Sequence, residues 1–368
     1  MADLFIGLMS GTSMDAIDAA LVDFSGRQPD IIATHNQPYP EDLKNRLVTA
    51  LGLSAPLAAD LSGLDKAVGK AFSDAVDKLL VLASIPADRV SAIGSHGQTI
   101  HHAPDAPQPY SLQIGNAALI AAQTGIDVVA DFRRADIEAG GQGAPLVPAF
   151  HQAVFSQHGE HRAVVNIGGI ANITVLPGDP TYPVTGFDTG PGNTLMDQWA
   201  QQHLDAALDM NGAWAAGGDT DKPLLDRLLQ DPYFRQSPPK STGREYFTMD
   251  WLQRQLNGEH SEPQNIQATL GALTAGSIAD AVRQYAPGTS RLLVCGGGIH
   301  NTALMSALGD ELETICIEST QAYGIDPDWV EAAAFAWLAR QHLAGKPGNV
   351  PAVTGAHREA VLGKLFRH

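Results

Sequence analysis

Apolar residues recur along this chain with two periods, and the alternation between them lays out its architecture. Residues 4–9 and 17–24 are short apolar runs on either side of the small-residue turn Ser10–Asp15, a pattern that predicts a β-hairpin. Leu57, Leu61, Leu64, Val68, Phe72, Val76 and Leu79 then fall at intervals of three and four, which predicts a long helix packed along one face. Strand-like runs return at 90–94, 111–114 and 126–130, with a helix-like stretch at 116–124 between the last two. Strands interleaved with helices predict an α/β fold.

Residues 131–148, DFRRADIEAGGQGAPLVP, show neither period; their glycine, proline and charge predict a loop at a domain boundary. Beyond it the opening pattern returns. Residues 163–166 and 171–176 are strand-like around Ile167-Gly168-Gly169-Ile170, so VVNIGGIANITVL repeats the first hairpin in outline. A repeated hairpin predicts a duplicated architecture. GFDTGPGN, residues 186–193, follows as a glycine-rich turn ahead of a helix-like run to Leu208. Helical spacing resumes at 219–229 and 266–285, while 233–246, rich in Pro, Gly and charge, reads as an exposed loop. A strand at 291–295 ends in Gly296-Gly297-Gly298-Ile299-His300-Asn301, followed by a helix at 302–308 and a strand at 312–317. A helix at 326–343 has Pro327 in its first turn, and KPGNVPAVTGA leads to a short C-terminal helix.

Composition narrows the picture. A chain of 368 residues, 44% of them hydrophobic, has enough apolar surface for two cores, hence two domains with a cleft between them. The formal net charge of −17 excludes a surface built for nucleic acid or anionic lipid, which takes clustered Lys and Arg. The two cysteines, Cys295 and Cys316, each fall in an apolar strand-like run and read as core residues of a reducing compartment. The N-terminus lacks a basic n-region and no apolar run reaches bilayer length, so the expectation is a soluble, cytoplasmic protein.

Candidate chemistry gathers at the turns. SGTSMD offers hydroxyls, a flexible Gly11 and the carboxylate of Asp15, the equipment to cradle phosphates and hold hydrated Mg²⁺; it is also ordinary turn composition. Ser95-His96-Gly97-Gln98-Thr99 reads as a polar turn at a strand's C-terminal end, with His96 either a substrate contact or a turn histidine bonded to nearby backbone. The adjacent His101 and His102 do not face the same way and make no metal pair. Arg133 and Arg134 lie beside several glycines, either in a surface linker or in a cleft loop that forks a carboxylate or phosphate. Asp188 either caps a tight turn or is the reactive carboxylate of GFDTGPGN, whose following helix would point free N–H groups toward an anion. Glu331, inside WVEAAAFAWLA, is either solvated or aimed into the cleft. The triple glycine allows close backbone approach to a purine or pyrophosphate, although neither GxGxxG nor GxxxxGK[ST] occurs.

Taken in order, LMSGTSMDAIDAALVDF, SHGQTIHHAP, DFRRADIEAGGQGAPLVPAFH, VVNIGGIANIT, GFDTGPGNTLMD, CGGGIHN, WVEAAAFAWLA and VPAVTGA closely resemble the anhydro-N-acetylmuramic acid kinase family over essentially the whole length. That family belongs to the superfamily of sugar kinases, heat-shock chaperones and actin. The resemblance therefore implies two duplicated RNase H-like (actin-like ATPase) domains around an interdomain cleft: 1–133 with a C-terminal helix at about 348–368, and 134–347. It implies ATP and Mg²⁺, with Gly11, Thr12, Ser13, Met14, Asp15, Ala16, Ile17 and Asp18 at the phosphates, Gly168 and Gly169 opposite them, and Gly297 and Gly298 at the adenosine. Asp188 is implied as the catalytic base and Glu331 as a residue near the sugar; beside these, Asp15 is the candidate Mg²⁺ carboxylate acting through water, His96 a candidate sugar contact, and Arg133 or Arg134 the candidate for the lactyl carboxylate. The implied reaction opens the 1,6-anhydro ring of anhydro-N-acetylmuramic acid with water while phosphorylating O6, in peptidoglycan recycling, by an enzyme expected to be a homodimer. Ala16 departs from the family's usual Gly at that place in GTSMDG. Rival readings are a kinase for an ordinary sugar hydroxyl and, outside enzymes, an actin-like filament or an ATP-driven chaperone; the latter needs an appended substrate-binding domain that the chain has no residues left to form.

Overall fold

The computed structural model describes residues 2–11, 14–51, 58–104, 106–243, 245–258 and 261–368, and only the backbone of residues 58–60. In chain order the elements are β1 (Leu4–Ser10), β2 (Ala16–Asp23), β3 (Asp30–Pro38), α1 (Glu41–Leu51), α2 (Ala58–Ala83), β4 (Ala92–Ala103), β5 (Tyr110–Ile114), α3 (Ala117–Thr124), β6 (Val128–Ala130), α4 (Phe132–Glu138) and α5 (Val147–Phe155). They continue with β7 (Arg162–Ile167), β8 (Ile170–Leu176), β9 (Thr185–Pro191), α6 (Thr194–Leu204), α7 (Lys222–Leu229), α8 (Met249–Leu256), α9 (Pro263–Tyr285), β10 (Arg291–Cys295), α10 (Thr302–Glu311), β11 (Cys316–Ser319), α11 (Val330–Leu343), α12 (Pro351–Thr354) and β12 (Lys364–Phe366).

Two compact units result, Met1–Val154 with Trp329–His368, and Phe155–Asp328. The sheet of the first runs β12-β6-β4-β1-β2-β3, with β5 paired to β4; that of the second runs β11-β10-β7-β8-β9. In each, three antiparallel strands in sequence (β1-β2-β3, β7-β8-β9) are followed by strands laid parallel to the first of the three. The same order twice, with the same directions, is the duplication expected from the repeated hairpins and the RNase H-like arrangement implied by the resemblance. The expected boundaries at 133/134 and 347/348 differ from these units, because α11 packs on β1, β4 and β2 and so belongs to the first.

One face of the first sheet, with Leu4, Ile6, Leu8, Ile17, Ala19 and Leu21, is sealed by α1, α2 and α3. The spacing read in the sequence holds from Leu61 to Leu79, all buried, whereas Leu57 lies outside the described residues. The opposite face meets α11 through two glycines. Gly7 and Gly94 are partners across β1 and β4. A Cβ on Gly7 would stand 1.7 Å from the carbonyl oxygen of Ala332, and one on Gly94 1.9 Å from that of Phe335. The alanine run of α11 is thus a seam of small side chains against a groove of missing ones, and this sets the height of Glu331 over the sheet.

Several local expectations are corrected. Ser95–Thr99 is not a turn but the middle of β4: Leu8 pairs with Ser95 and Ser10 with Gln98, so one extra residue is bulged out where Gly97 takes φ +75°. Residues 132–138 form α4 despite their charge, since the glycines begin only after Ala139. Asp188 lies in β9, not in a turn. Pro327 precedes α11, which starts at Val330. The chain ends in β12, antiparallel to β6, and not in a helix. Cys295 is buried as expected, whereas Cys316 is exposed at the start of an edge strand. No helix among the described residues is long and apolar enough to cross a membrane.

Candidate active site

In the second unit, Ala171 pairs with Gly190 but Asn172 pairs with Asp188, so Thr189 is a bulge and Asp188 stands at a break in the ladder. A strap that sequence reading took for an exposed loop crosses here. The Asp188 N–H donates to the Lys240 carbonyl at 3.2 Å, and the Thr242 N–H donates to Asp188 Oδ2 at 2.9 Å. The Tyr233 hydroxyl donates to the Asp188 carbonyl at 2.7 Å. Tyr233 is 2% exposed and Phe247 fully buried, so aromatic rings at both ends pin the strap. Burial raises the Asp188 carboxyl to about 6; Glu245 adds to this, while the Thr242 N–H and the Lys240 ammonium oppose it. The result is a carboxylate ionised at neutral pH yet far more basic than an ordinary Asp, which suits a general base.

β7 and β10 lie side by side, Asn166 opposite Cys295, so their following glycine turns are neighbours at the C-terminal edge of the sheet. The turns differ in what they offer. Gly297 is exposed and a Cβ there would meet nothing nearer than Asn193 at 3.9 Å, and Gly168 is similarly open; a Cβ on Gly298 would strike Ile167 at 2.3 Å. Gly168 and Gly297 therefore present bare backbone, and Gly298 serves close packing. The expected free N–H groups ahead of α6 are not free: Gly192 and Thr194 donate to the Gly169 carbonyl at 2.9 and 3.1 Å, and Asn193 donates to that of Gly168 at 2.8 Å. The helix start locks the glycine turn in shape instead.

In the first unit, the turn after β1 is held by the bulge in β4. The Gly11 carbonyl accepts from Gln98 Nε2 at 3.2 Å, and the Ser10 hydroxyl donates to Gln98 Oε1 at 2.7 Å. Thr12 and Ser13 lie outside the described residues. Met14 (φ 53°) and Ile17 bury their side chains in the core, so only their backbone remains for a ligand; Ala16 opens β2 opposite Pro38. Asp15 is 66% exposed and paired with Lys44 at 2.6 Å. Among the described residues no group of three or more His, Cys, Asp or Glu is placed to hold a metal. A lone exposed carboxylate beside a turn fits a hydrated Mg²⁺ that arrives with phosphates, and no tighter metal site.

Three of the expected sugar contacts meet in this unit. His96 Nδ1 donates to the Gly97 carbonyl at 2.9 Å, which leaves Nε2 to accept from an Arg133 terminal nitrogen at 3.0 Å; the tautomer follows from this network. Burial first, and Arg133 second, push His96 down to about 3, so the ring is neutral. Glu331 is pushed up to about 7 by burial and by Asp18, against the pull of Arg133. Burial lowers Arg133 to about 10, with Glu331 opposing. Asp18 itself accepts from Asn36 Nδ2 at 2.7 Å. The far end of α4 is anchored by Asp136, fully buried, which accepts from the Gly143 N–H, Asn349 Nδ2 and the Thr354 hydroxyl at 2.8, 2.7 and 2.8 Å. The motif VPAVTGA thereby fixes the helix that carries both arginines.

Arg134 points elsewhere. Exposed and paired with Asp131 at 2.5 Å, it lines a cavity of about 310 Å³ with Ser95, His96, Gln113 and Asn116. Ser95 is buried in that lining, and its Oγ has no hydrogen-bond partner within the protein. Sequence reading missed Tyr233, Lys240, Thr242, Asp136 and Ser95. Only the flanking aromatic pairs Tyr233-Phe234 and Tyr246-Phe247 signalled that the strap was anchored.

Residues 3–368 match the family model described as anhydro-N-acetylmuramic acid kinase. The anhydro-N-acetylmuramic acid kinase of Shewanella sp. (strain MR-7) is 53% identical over 363 residues, covering 98% of both chains. That of Coxiella burnetii (strain RSA 493 / Nine Mile phase I) is 49% identical over 362 residues, covering 98% of this chain and 97% of the relative. Among solved structures, the activator of the 2-hydroxyisocaproyl-CoA dehydratase from Clostridium difficile with bound ADPNP aligns with 94% of this chain and 96% of its own, at 12% identity and a TM-score of 0.48. The chain is a kinase and belongs to the anhydro-N-acetylmuramic acid kinase family.

Proposed function

We propose that this kinase opens the 1,6-anhydro ring of anhydro-N-acetylmuramic acid with water and transfers the γ-phosphoryl group of ATP to O6, giving N-acetylmuramic acid 6-phosphate and ADP, as a cytoplasmic step of peptidoglycan recycling. The observation that carries the reading is Asp188: a carboxylate raised to about 6 by burial, with one oxygen held by the Thr242 N–H. Asp188 takes a proton from the water whose oxygen bonds to C1; the C1–O6 bond breaks and O6 bonds to phosphorus as the bond to ADP breaks. No separate general acid is needed, because the leaving oxygen is capped by the phosphoryl group.

The backbone at Gly11, Gly168 and Gly297 is assigned to ATP, and the cavity beside His96 and Arg134 to the sugar, with Arg134 meeting the lactyl carboxylate and Ser95 a sugar hydroxyl. Arg133, already given to His96 and facing Glu331, orders the wall of that cavity. Mg²⁺ brought with ATP would supply positive charge against the phosphates, and Asp15 is the carboxylate that would hold it through water once released by Lys44.

Oxygen-18 water tests the reaction. Solvent oxygen is expected at C1 of the phosphorylated product. Its absence from C1 means that Asp188 instead deprotonates an ordinary sugar hydroxyl, and the reading fails.

A further inference from the structure

A second cavity, of about 390 Å³, lies within the second unit and is lined by Phe187 and Thr189, the two neighbours of Asp188 in β9. Its size is that of a small-molecule site. Phe187, Phe234 and Tyr285 give it ring-sized apolar walls, and Arg235, Lys240 and Arg283 line it, Arg283 being paired with Asp280 of the lining at 2.9 Å and with Glu311 at 2.6 Å, both pairs exposed to solvent. In a chain of net charge −17, three cations around one cavity mark it out. Lys240 belongs to it and to the base alike: its carbonyl accepts the Asp188 N–H at 3.2 Å, and two residues on, Thr242 holds the Asp188 carboxylate. Its ammonium lies over the Tyr233 ring at 4.7 Å and donates to the Tyr233 carbonyl at 3.3 Å, while the Tyr233 hydroxyl reaches Asp188.

We infer that this cavity binds a small ring compound carrying a phosphate or carboxylate group, and that its occupant alters turnover by drawing on Lys240 and so shifting the strap that holds Asp188. The ring stacks among the aromatic walls and the anion meets the arginines and Lys240. An anion that pulls the ammonium from the Tyr233 ring moves the segment Lys240–Thr242, and with it two of the hydrogen bonds that orient the base. The coupling rests on the reading of Asp188 as the base; the binding does not.

Phenyl phosphate is the probe, titrated by calorimetry into the full chain at saturating ADP, with inorganic phosphate and phenol titrated alongside. One saturable phenyl phosphate site is expected, about tenfold tighter than either half alone. Arg235→Glu and Arg283→Glu, both at exposed positions, should each weaken it about tenfold or more, the scale of a lost charge-assisted hydrogen bond. Saturating phenyl phosphate should change kcat at least about twofold in the parent and leave it unchanged in Arg235→Glu. Absence of saturable binding, equal binding of phosphate or phenol alone, or binding indifferent to both variants overturns the site. Binding with unaltered kcat overturns the coupling. Because calorimetry needs no sugar, failure of the proposed reaction would not hide either result on binding.

Discussion

Nε2 of His96 and a terminal nitrogen of Arg133 stand 3.0 Å apart, with the histidine neutral and accepting. The pair separates the two arginines that sequence left equivalent. Arg133 is spent on the wall of the cavity, whereas Arg134 lines it with an exposed side chain paired to the half-buried Asp131, a pairing of little worth where water reaches the guanidinium. Arg134→Ala should therefore raise the KM for the muramic sugar roughly ten- to a hundredfold, from a charge-assisted bond of ~1.5–3 kcal/mol, and erase the preference over the glucosamine analogue that lacks the lactyl group. Arg133→Ala should lower the melting temperature, since it leaves His96 Nε2 without its donor. Steady-state kinetics on both sugars and a thermal melt check this. Unchanged sugar preference in Arg134→Ala would remove Arg134 from the acceptor site.

Asp188→Asn should lower turnover by about 10²–10⁴-fold while ATP binds as before, because an amide cannot accept the water's proton. The pH dependence has a definite sign. A base raised to about 6 is protonated and idle below that pH, so kcat should fall about tenfold per unit below pH 6. Residual activity in Asp188→Asn should lack this limb. A parent profile still flat at pH 5 would mean that Asp188 does not titrate as the base.

Glu331 makes a prediction about stability. Its folded value, about 7, lies above the ordinary glutamate value of 4.5, so between those values the folded chain holds a proton that the unfolded chain has released. Stability from this group is full below about 4.5 and is lost as pH rises toward 7. Glu331→Gln, which mimics the protonated form, should melt higher than the parent at pH 8 and match it near pH 4.5. A lower melting temperature for the variant at both values would show that ionised Glu331 is stabilising, with Arg133 outweighing burial.

What the sequence showed best were features repeated along the chain. Two hairpins alike in outline, each with glycine in its turn, predicted a duplicated architecture, and the spacing from Leu61 to Leu79 located α2. It misled where a long-range contact overrides local composition. Ser95–Thr99 looks like a turn because it is polar, but one bulge at Gly97 lets it stay in the strand and turn Gln98 toward Gly11. Phe132–Glu138 was masked by the glycines after it. The hold on Asp188 was hinted at only by the aromatic pairs flanking the strap, since Tyr233, Lys240 and Thr242 are far away in sequence and bring it two backbone groups and a hydroxyl.

Asp15 offers a test of the metal. Its pairing with Lys44 is an exposed one, so breaking it should cost little stability. If the carboxylate also steadies Mg²⁺ through water, Asp15→Ala should weaken use of Mg²⁺-ATP and be partly rescued by raised Mg²⁺. Lys44→Ala, which frees the carboxylate, should shift the Mg²⁺ requirement the opposite way. Kinetics across a Mg²⁺ titration decide it; identical curves for both variants and the parent would reduce Asp15 to a residue of the turn.

The glycine seam makes the last prediction. Gly94 and Gly7 stand where α11 touches the sheet, and a methyl on Gly94 would fall 1.9 Å from the Phe335 carbonyl oxygen, a backbone atom that no rotamer change can move aside. Gly94→Ala must therefore push the helix away, at the ~1–3 kcal/mol or more typical of overpacking. Phe335 also carries the His96 ring at 4.8 Å, and Glu331 lies one turn earlier on the same helix, so the displacement passes to the side of the first unit proposed for the sugar. The variant should melt several degrees lower and show a raised KM for the sugar. ATP binding to the glycine turns of the second unit should hold. Gly309→Ala, where a Cβ meets nothing within 4 Å, is the control and should alter neither. If Gly94→Ala matches that control in both melting temperature and sugar KM, the helix does not rest on the sheet through this glycine.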